Sequence, residues 1–366
     1  MIVAGGGTGG HVFPGIALAE AFLSLRPDGI VTFVGTREGL EARAVPAQGY
    51  EIDFVPSGQV TGKGLRGGWG LLRIASGIFR AIGVLKRRRP DLVFGVGGYA
   101  SVPVAAAAVL LRVPLFLQEQ NSVPGRSNRL FARYAVRVFT GFEGAVTRLP
   151  PGRTERTGNP LRAEIVAAAR GRSGEWPPDD PFTVLAIGGS RGAHAINSRV
   201  LEMARAGKRE GKEIRFLLQT GEGEYAGVEE VVRKESLMVE PFAFTNRMGD
   251  MFPRCHAVLM RAGALSISEA ALFGRPCVLV PFRFAADDHQ TRNAREFCET
   301  GAGTWMAEAD ATPEVLRASL WALAGDHNAR EKAREASLSF ARPDAAVETV
   351  RRALALFQRS DCPKEA

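Results

Sequence analysis

Two segments, one in each half of the chain, share the pattern that most constrains the fold: a short apolar run, a cluster of glycines and a helix-like stretch. The first reads Ile-Val-Ala-Gly-Gly-Gly-Thr-Gly-Gly from residue 2, and the second reads Val-Leu-Ala-Ile-Gly-Gly-Ser-Arg-Gly-Ala from residue 184. In doubly wound α/β folds, a buried strand ends in a glycine turn that leads directly into a helix. The repeated pattern therefore predicts two Rossmann-like domains, each with its own sheet.

Other short apolar runs, separated by stretches of helical periodicity such as 14–25 and 194–206, extend this pattern. Strands that alternate with helices indicate parallel sheets covered on both faces, which is the α/β class. The predicted strands are 2–4, 31–34, 92–95, 115–118 and 136–140 in the first half, and 183–187, 214–219, 257–260 and 277–281 in the second.

The length of 366 residues also favours two domains, because a single hydrophobic core rarely grows past about 250–300 residues. A segment rich in glycine, proline and acid, 171–181, contains Trp-Pro-Pro-Asp-Asp-Pro, and proline cannot continue a helix. We therefore predict a first domain over 1–162, a linker over 163–181 and a second domain over 182–341. Ligands bind beyond the carboxyl ends of such sheets, so the two domains are expected to face each other across a cleft.

Three glycine loops, 5–11, 95–101 and 188–193, each follow a predicted strand. Glycine allows close approach of the backbone to a ligand, and a helix N-terminus favours an anion. No Gly-Lys-Ser/Thr follows, which argues against an ATP-type P-loop, and the spacing does not fit a nicotinamide site. Together with a formal charge of +8, the loops predict a nucleotide-diphosphate ligand. The alternative is a set of tight turns without a ligand.

A segment of the second half, 261–276, has the pattern of a glycine turn, a short helix and a stop at Pro276. Glu269 in this helix could accept hydrogen bonds from both hydroxyls of a ribose, although an isolated helix acid is more often solvated. The polar loop that follows offers His289, Gln290 and Asn293 to a sugar. The alternative is an exposed loop that caps the next helix.

The sequence does not require a metal or a cofactor, because it has no Asp-x-Asp and its five histidines and four cysteines are scattered. The charge of a diphosphate would instead be met by helix N-termini, Ser190 and Arg162. Scattered cysteines also favour a reduced cytosolic protein. The sequence contains no apolar run of membrane-spanning length and does not open with the pattern of a signal peptide.

The basic charge is concentrated in 63–89, which holds eight Lys or Arg residues and no acid. Large apolar residues alternate with these charges, which favours a helix that lies on an anionic membrane surface. An amphipathic core helix with a solvated basic face fits the pattern equally well. Nucleic acid is disfavoured, because aliphatic side chains offer little base stacking. The predicted membrane contacts are Trp69, Arg73, Ile74, Ile78, Phe79, Arg80, Ile82 and Lys86.

Seven motifs, in order along the chain, give the sequence a resemblance to the MurG family of N-acetylglucosaminyltransferases. They are 6–14 (Gly-Gly-Thr-Gly-Gly-His-Val-Phe-Pro), 97–99 (Gly-Gly-Tyr), 119–121 (Glu-Gln-Asn), 158–162 (Gly-Asn-Pro-Leu-Arg), 188–193 (Gly-Gly-Ser-Arg-Gly-Ala), 261–264 (Arg-Ala-Gly-Ala) and 288–290 (Asp-His-Gln). The combination is specific, although each motif alone is not.

This resemblance implies a GT-B fold and an inverting transfer of GlcNAc without a bound metal. It implies UDP-GlcNAc as donor and, as acceptor, the 4-hydroxyl of MurNAc-pentapeptide on undecaprenyl diphosphate (lipid I), which gives lipid II for peptidoglycan. It also implies a peripheral position on the cytoplasmic face of the plasma membrane. A C-terminal helix, about 342–366, is expected to pack back on the first domain.

The resemblance also implies roles for individual residues, carried over by position. Gly97, Gly98 and Tyr99 are expected at the acceptor diphosphate. A main-chain contact to uracil falls on Thr245 or Phe244, and of the family's usual pair of glutamines only Gln290 is kept. The expected donor-binding residues are Thr8, Gly9, Gly10, Asn121, Arg162, Ser190, Thr245, Ala264, Leu265, Ser266, Ile267, Ser268, Glu269 and Gln290.

A general base must remove the proton of the acceptor hydroxyl, and His11 is the first candidate because an unperturbed imidazole titrates near neutrality. Glu119 is the second candidate, and either residue could instead hold a loop or the acceptor. Other readings of the sequence stay open. They are another GT-B transferase, a UDP-GlcNAc epimerase, a non-catalytic nucleotide-sugar-binding protein, an NAD-dependent dehydrogenase and a nucleic-acid binder.

Overall fold

A computed structural model describes residues 1–58, 65–172, 175–178, 181–188, 193–245 and 247–361. The chain divides into two units. The first consists of Met1–Arg162 together with the C-terminal segment that begins at Pro343, and the second is Ala163–Arg342. Each unit has its own sheet and its own apolar core.

The described part of the first unit holds a seven-stranded sheet in which every recorded pairing is parallel. Its strands are β1 (Ile2–Ala4), β2 (Thr32–Gly35), β3 (Glu51–Phe54), β4 (Val93–Gly95), β5 (Leu115–Glu119), β6 (Arg137–Thr140) and β7 (Thr154–Arg156). Their order is β3-β2-β1-β4-β5-β6-β7. The order reverses beside β1, as in a doubly wound nucleotide-binding fold.

The described part of the second unit repeats this arrangement with a six-stranded parallel sheet. Its strands are β8 (Thr183–Ile187), β9 (Arg215–Gln219), β10 (Val239–Phe242), β11 (Ala257–Met260), β12 (Cys277–Leu279) and β13 (Gly303–Trp305). Their order is β10-β9-β8-β11-β12-β13. The predicted α/β class with two Rossmann-like domains is confirmed.

Helices connect the strands in both units. They are α1 (Gly9–Leu25), α2 (Glu41–Ala44), α3 (Leu65–Arg88), α4 (Ser101–Leu110), α5 (Arg126–Phe131), α6 (Glu143–Val146), α7 (Ala163–Arg170), α8 (His194–Glu210), α9 (Tyr225–Glu235), α10 (Met248–Met251), α11 (Ala264–Leu272), α12 (His289–Cys298), α13 (Pro313–Gly325), α14 (His327–Phe340) and α15 (Ala345–Asp361). Among the residues described, no helix is both long and apolar enough to cross a membrane.

The last helix, α15, packs against α1 in the first unit. Val350 and Ala353 are buried in the same core as Ile16 of α1. The hydroxyls of Thr349 and Thr157 lie 2.7 Å apart, which joins α15 to the segment after β7. The chain therefore returns to the first unit after it has formed the second.

Four strands that the sequence did not predict, β3, β7, β10 and β13, are the edge strands of the two sheets. A strand covered on both faces needs a continuous apolar run, whereas an edge strand tolerates polar residues. The central strands β1, β4 and β8 are buried along their whole length, but most residues of the four edge strands are only half-buried.

The predicted linker over 163–181 needs a correction. Its first eight residues, Ala-Glu-Ile-Val-Ala-Ala-Ala-Arg, form α7, which packs on α10 and α11 within the second unit. Alanine has the highest helix propensity, and Ile165 supplies a buried anchor. Farther along, the ring of Trp176 stacks on His256 at 6.1 Å and lies 5.0 Å from the guanidinium of Arg275. Both parts of the segment are therefore attached to the second unit.

Candidate active site

The first glycine loop follows β1 and is fixed by the carboxylate of Glu41, a residue that the sequence analysis did not single out. Oε2 of Glu41 accepts from the Gly7 amide at 2.8 Å. Oε1 accepts from the amide and the hydroxyl of Thr36 at 2.9 and 2.8 Å. Only 1% of Glu41 is exposed. The Glu41 carboxylate therefore connects the loop that leads into α1 to Thr36, the residue after β2.

The second glycine loop, after β4, lies directly against the first. Gly97 and Gly98 have φ angles of 93° and 76°, which side-chain-bearing residues rarely adopt. A Cβ at Gly98 would lie 2.4 Å from the carbonyl oxygen of Gly6, and one at Gly97 would lie 2.9 Å from Cδ2 of His11. The two loops contact each other because these positions carry no side chain.

His11 lies where the two loops meet. Its Nδ1 is 3.3 Å from Oγ1 of Thr8, and its ring packs on Gly97. The ring of Tyr99 comes within 3.3 Å of a Cβ placed at Gly7, and the Tyr99 carbonyl accepts from the Ser57 hydroxyl at 2.7 Å. The structure thus brings together the predicted base, His11, and the residues predicted at the acceptor diphosphate.

Glu119, the second candidate base, is buried at the end of β5 with donors on both oxygens. Oε1 accepts from the amide and side chain of Asn121 at 2.9 and 3.4 Å, and Oε2 accepts from the Gly125 amide and Asn128 Nδ2 at 2.8 Å each. Burial raises the pKa of Glu119, while these hydrogen bonds act in the opposite direction. This geometry fits the role of a residue that holds the 121–128 loop.

Two further residues that sequence reasoning missed connect this loop to the glycine loops. Nε2 of Gln120 donates to the Val96 carbonyl at 3.1 Å. Asn128 donates to the Gln118 carbonyl at 3.0 Å, and its Nδ2 lies 3.8 Å from a Cβ placed at Gly97. Gln120 lies in the Glu-Gln-Asn motif, so the motif could have pointed to it. Asn128 lies in α5, outside every motif, and nothing in the sequence marks it.

Arg162, predicted to meet a diphosphate, lies near the start of α1. Its guanidinium stands 4.9 Å from the ring of Phe13, and that ring comes within 2.9 Å of a Cβ placed at Gly9. Thr8 is the N-cap residue of α1, but its side chain makes no capping hydrogen bond. Thr8 and Gly10 are exposed and Gly9 is half-exposed, so the start of α1 is accessible.

In the second unit, the helix predicted to line the nucleotide is α11. It begins after Gly263, whose N-cap position supplies no side-chain hydrogen bond. The side chains of Leu265, Ser266 and Glu269 are half-exposed on one face. Ile267 is buried completely and Ala264 almost so, so these two residues could contact a ligand only through the main chain. Ser268 is half-exposed, and its hydroxyl donates to the Ala264 carbonyl at 2.9 Å.

The turn between β11 and α11 is fixed by Arg261. Its guanidinium donates to Oε1 of Glu308 at 2.6 Å and to the Val280 carbonyl at 3.2 Å. Nδ2 of the buried Asn293, on α12, donates to the Ala262 carbonyl at 3.2 Å. Two charged groups and one amide therefore set the position of the α11 N-terminus.

Gln290, predicted to hold the sugar, stands in the first turn of α12. Its Oε1 accepts from the Phe282 amide at 2.9 Å, which leaves the Nε2 group to donate to a ligand. Asp287 and Asp288 both have φ of 51°, the left-handed region, just before this turn. Such backbone often marks a functional site. His289 instead contacts its own turn, with Nδ1 2.7 Å from the Ala286 carbonyl.

The described side chains do not place either of two other predicted donor contacts, Thr245 and Ser190, at an open ligand position. Oγ1 of Thr245 accepts from the Arg247 amide at 3.0 Å, so its side chain holds the turn before α10, and a uracil contact would use the main chain. The neighbouring Phe244 is exposed. Ser190 lies outside the described residues.

The predicted membrane contacts on α3 divide into two groups. Ile82 packs against the core, and Ile74 and Ile78 are half-buried, because this stripe flanks the buried face formed by 77, 81, 84 and 85. Phe79 is 76% exposed, and Leu72, which was not predicted, is 65% exposed. Ile82 is also half-buried, so each of these three isoleucines exposes only part of its side chain. The side chain of Trp69 lies outside the described ones.

The other predicted contacts on α3, Arg73, Arg80 and Lys86, are exposed. Arg73 donates to Glu38 at 3.2 Å. We refer to Leu72, Arg73, Phe79, Arg80 and Lys86 as the α3 surface. Elsewhere, among the described side chains, no group of three His, Cys, Asp or Glu residues could hold a metal ion.

Comparison with known proteins matches both units to glycosyltransferase family 28. The model of its N-terminal domain matches residues 1–140, and that of its C-terminal domain matches residues 183–349. A protein of Geobacter sulfurreducens, the UDP-N-acetylglucosamine–N-acetylmuramyl-(pentapeptide) pyrophosphoryl-undecaprenol N-acetylglucosamine transferase, is 38% identical over 347 residues, 94% of this chain and 95% of its own. The chain belongs to the MurG family.

Two further comparisons agree with this assignment. The protein of the same name from Geobacter metallireducens is 39% identical, over 94% of this chain and 95% of its own. The crystal structure of Acinetobacter baumannii MurG is similar with a TM-score of 0.77 at 26% identity, over 97% of this chain and 98% of that one. The predicted GT-B fold of this MurG family member is thereby confirmed.

Proposed function

We propose that this MurG family member transfers GlcNAc from UDP-GlcNAc to the 4-hydroxyl of MurNAc in lipid I, which gives lipid II. One observation carries the proposal: relatives named for this reaction are 38–39% identical to the chain over 94% of its length. The match covers both units, so it includes the loops of the first and the α11 segment of the second.

The second unit supplies the groups that a UDP-GlcNAc donor needs. The N-terminus of α11 lacks a side-chain cap, so its amides and dipole can interact with the diphosphate. Glu269, one turn farther along, can accept from the two ribose hydroxyls. Gln290 retains an amide group that can donate to GlcNAc. Within this proposal Arg162 and Ser190 add further donors to the diphosphate.

The first unit supplies the groups that act on the acceptor. The 4-hydroxyl oxygen attacks the anomeric carbon, and the bond from that carbon to the UDP oxygen breaks on the opposite face. The proton of the hydroxyl passes to Nε2 of His11, while Nδ1 faces Thr8. UDP leaves with the bonding electron pair, and helix N-termini stabilise its charge.

Glu119 has a different role in this mechanism. Its two oxygens already accept four hydrogen bonds from Asn121, Gly125 and Asn128. A carboxylate engaged in this way orients the loop and places Asn121, the predicted donor contact. We therefore assign the proton transfer to His11 and the positioning of the loop to Glu119.

The acceptor carries an undecaprenyl chain, so the enzyme must work at a membrane surface. We infer that the α3 surface binds the anionic cytoplasmic face of the plasma membrane. Its exposed apolar residues, Leu72 and Phe79, can enter the headgroup region. Arg80 and Lys86 can interact with anionic lipid headgroups.

The test is release of UDP from UDP-GlcNAc in the presence of EDTA, with and without a short-chain lipid I analogue. We expect release that requires the acceptor and survives the chelator. Release without an acceptor would instead identify an epimerase or hydrolase. Donor binding without any release would favour a binding protein or a different acceptor.

A further inference from the structure

Glu41 is a buried carboxylate at the start of α2 whose recorded donors are all neutral. The amide of Gly7 donates to one oxygen, and the amide and hydroxyl of Thr36 donate to the other, at 2.8 to 2.9 Å. An ionised group removed from water is costly unless hydrogen bonds replace its hydration. These three bonds satisfy the carboxylate and connect the end of β2 to the loop after β1.

Three glycines, one in the first glycine loop and two at or after the end of β2, make room for this carboxylate. A Cβ at Gly6, Gly35 or Gly39 would lie 2.1, 2.4 or 2.0 Å from an atom of the Glu41 side chain. Real Cβ atoms do not approach other atoms so closely. Part of the glycine content of the first loop, which the sequence suggests is for a ligand, therefore accommodates a side chain of the protein itself.

This arrangement has a consequence for the neighbouring residues. Gly7 has a φ of 96°, and its amide donates to Glu41, so it is not left to a phosphate. The next residue is Thr8, which is the N-cap residue of α1 and contacts His11. The carboxylate thus fixes the backbone immediately before the Thr8–His11 pair.

We propose that Glu41 is a positioning residue that holds the first glycine loop in the conformation in which His11 can accept the acceptor proton. This inference rests on the proposed function, because it assigns the proton transfer to His11. Glu41 itself does not touch either substrate. It acts through the Gly7 amide on the placement of Thr8 and His11.

Glu41→Gln is the informative substitution. A glutamine has one accepting end and one donating end, so it cannot accept from both Gly7 and Thr36. We expect kcat to fall by about 100-fold, since a displacement of about 1 Å can have this effect. The KM for UDP-GlcNAc should change much less, by about threefold, because the predicted ribose and GlcNAc contacts lie in α11 and α12, and only Thr8, Gly9 and Gly10 among the predicted donor contacts adjoin this loop. Partial unfolding would also lower the apparent kcat at an unchanged KM, so both constants are referred to the folded fraction of each variant.

The matched control is Glu38→Gln, which removes one charge from the same segment. Glu38 is exposed and pairs only with Arg73 among its recorded contacts. Its kcat should equal that of the unchanged protein. Thr36→Val is a second, milder variant. It removes the hydroxyl that donates to Glu41 and keeps the bond from the Gly7 amide. We expect it to lower kcat less than Glu41→Gln does.

Hydrogen exchange gives a readout that does not depend on turnover. Amides of residues 7–11 should exchange faster in Glu41→Gln than in Glu38→Gln, while the thermal midpoint shows that both are folded. Unchanged exchange and an unchanged kcat in a folded Glu41→Gln protein would overturn the proposal. If that variant does not fold, Thr36→Val decides by the same two measurements. If the unchanged protein shows no acceptor-dependent UDP release, the proposed function fails, and the exchange data still decide whether Glu41 orders the loop.

Discussion

Oγ1 of Thr8 lies 3.3 Å from Nδ1 of His11, although Thr8 occupies the N-cap position of α1. A threonine at this position normally accepts a hydrogen bond from an amide of the first helical turn. Here the hydroxyl faces the imidazole instead. When Nδ1 donates to this oxygen, Nε2 is the ring nitrogen that can take a proton.

The first prediction concerns His11. Replacement by alanine should lower kcat by about 10²- to 10⁴-fold, the usual contribution of a general base, with little effect on the KM for UDP-GlcNAc. Acceptor-dependent UDP release measures both constants. His194→Ala is a suitable control, because the side chain of His194 is largely exposed in the second unit. Near-normal turnover of His11→Ala at saturating acceptor would exclude His11 as the base.

The second prediction separates two roles of Thr8, orientation of His11 and contact with the donor. Thr8→Val keeps the shape and removes the hydroxyl, and loss of one neutral hydrogen bond should lower kcat about tenfold. Thr8→Ser should restore most of the activity. A rise in the KM for UDP-GlcNAc with unchanged kcat would show instead that the hydroxyl contacts the donor.

The third prediction uses the ionisation of Glu119. Burial raises its pKa above the ordinary value of 4.5. The folded state then holds the proton more tightly than the unfolded state, so this contribution to stability is complete below pH 4.5 and is lost as the pH rises through the raised pKa. In Glu119→Gln this position no longer titrates, and an amide NH₂ group replaces one oxygen that accepts hydrogen bonds. The free energy of unfolding of the variant at acid pH should therefore be lower by about 1–3 kcal/mol.

The measurement is the free energy of unfolding in urea, from pH 4.5 to neutrality. The difference between the unchanged protein and Glu119→Gln should narrow as the pH rises. Glu38→Gln, which removes an exposed carboxylate from the same unit, is the control for the loss of one negative charge. A difference that widens with pH would mean that Glu119 is ionised more easily in the folded protein, and the prediction would be wrong.

How much the sequence predicts depends on burial. The central strands, such as 183–187 and 257–260, were predicted at the bounds they have, because a parallel strand covered on both faces is apolar throughout. The edge strand β7 reads Thr-Glu-Arg and β13 reads Gly-Thr-Trp. Nothing in such segments distinguishes a strand from a loop until the neighbouring strand is known.

The candidate site shows the same limit at the level of single residues. Glycine loops and their strand–helix context are local, so the contact between His11 and Gly97 follows from topology once two strands are adjacent. Glu41 contacts Gly7 across 34 positions of sequence. The only local signal near Glu41 is a pair of glycines, Gly35 and Gly39, at and after the end of β2. Long-range hydrogen bonds of this kind are invisible to periodicity.

The fourth prediction concerns the ribose contact of Glu269. This half-exposed carboxylate of α11 should accept from both ribose hydroxyls, and hydrogen bonds to a charged group are worth about 1.5–3 kcal/mol. Glu269→Ala should therefore raise the KM for UDP-GlcNAc by roughly 10- to 100-fold. A donor with 2′-deoxyribose provides the control. This donor should bind the unchanged protein weakly, and the substitution should raise its KM by a smaller factor. Equal effects on both donors would assign Glu269 to the helix and not to the ribose.

The fifth prediction concerns the α3 surface. Phe79 is 76% exposed, and full burial of such a side chain in lipid is worth about 1.5–3 kcal/mol, so Phe79→Ala should weaken vesicle binding by roughly tenfold or more. Co-sedimentation with phosphatidylglycerol vesicles measures this, and added salt should weaken binding further if Arg80 and Lys86 contact the headgroups as proposed.

The control for this experiment is Ile30→Ala, since Ile30 is also 76% exposed in the first unit but lies outside α3. It removes comparable apolar surface without changing the α3 surface. Leu72→Ala should add to the effect of Phe79→Ala, because both side chains are exposed on the same helix. If Ile30→Ala and Phe79→Ala bind the vesicles equally well, then α3 is an amphipathic core helix with a solvated basic face. The enzyme would then reach its lipid-linked acceptor by another surface.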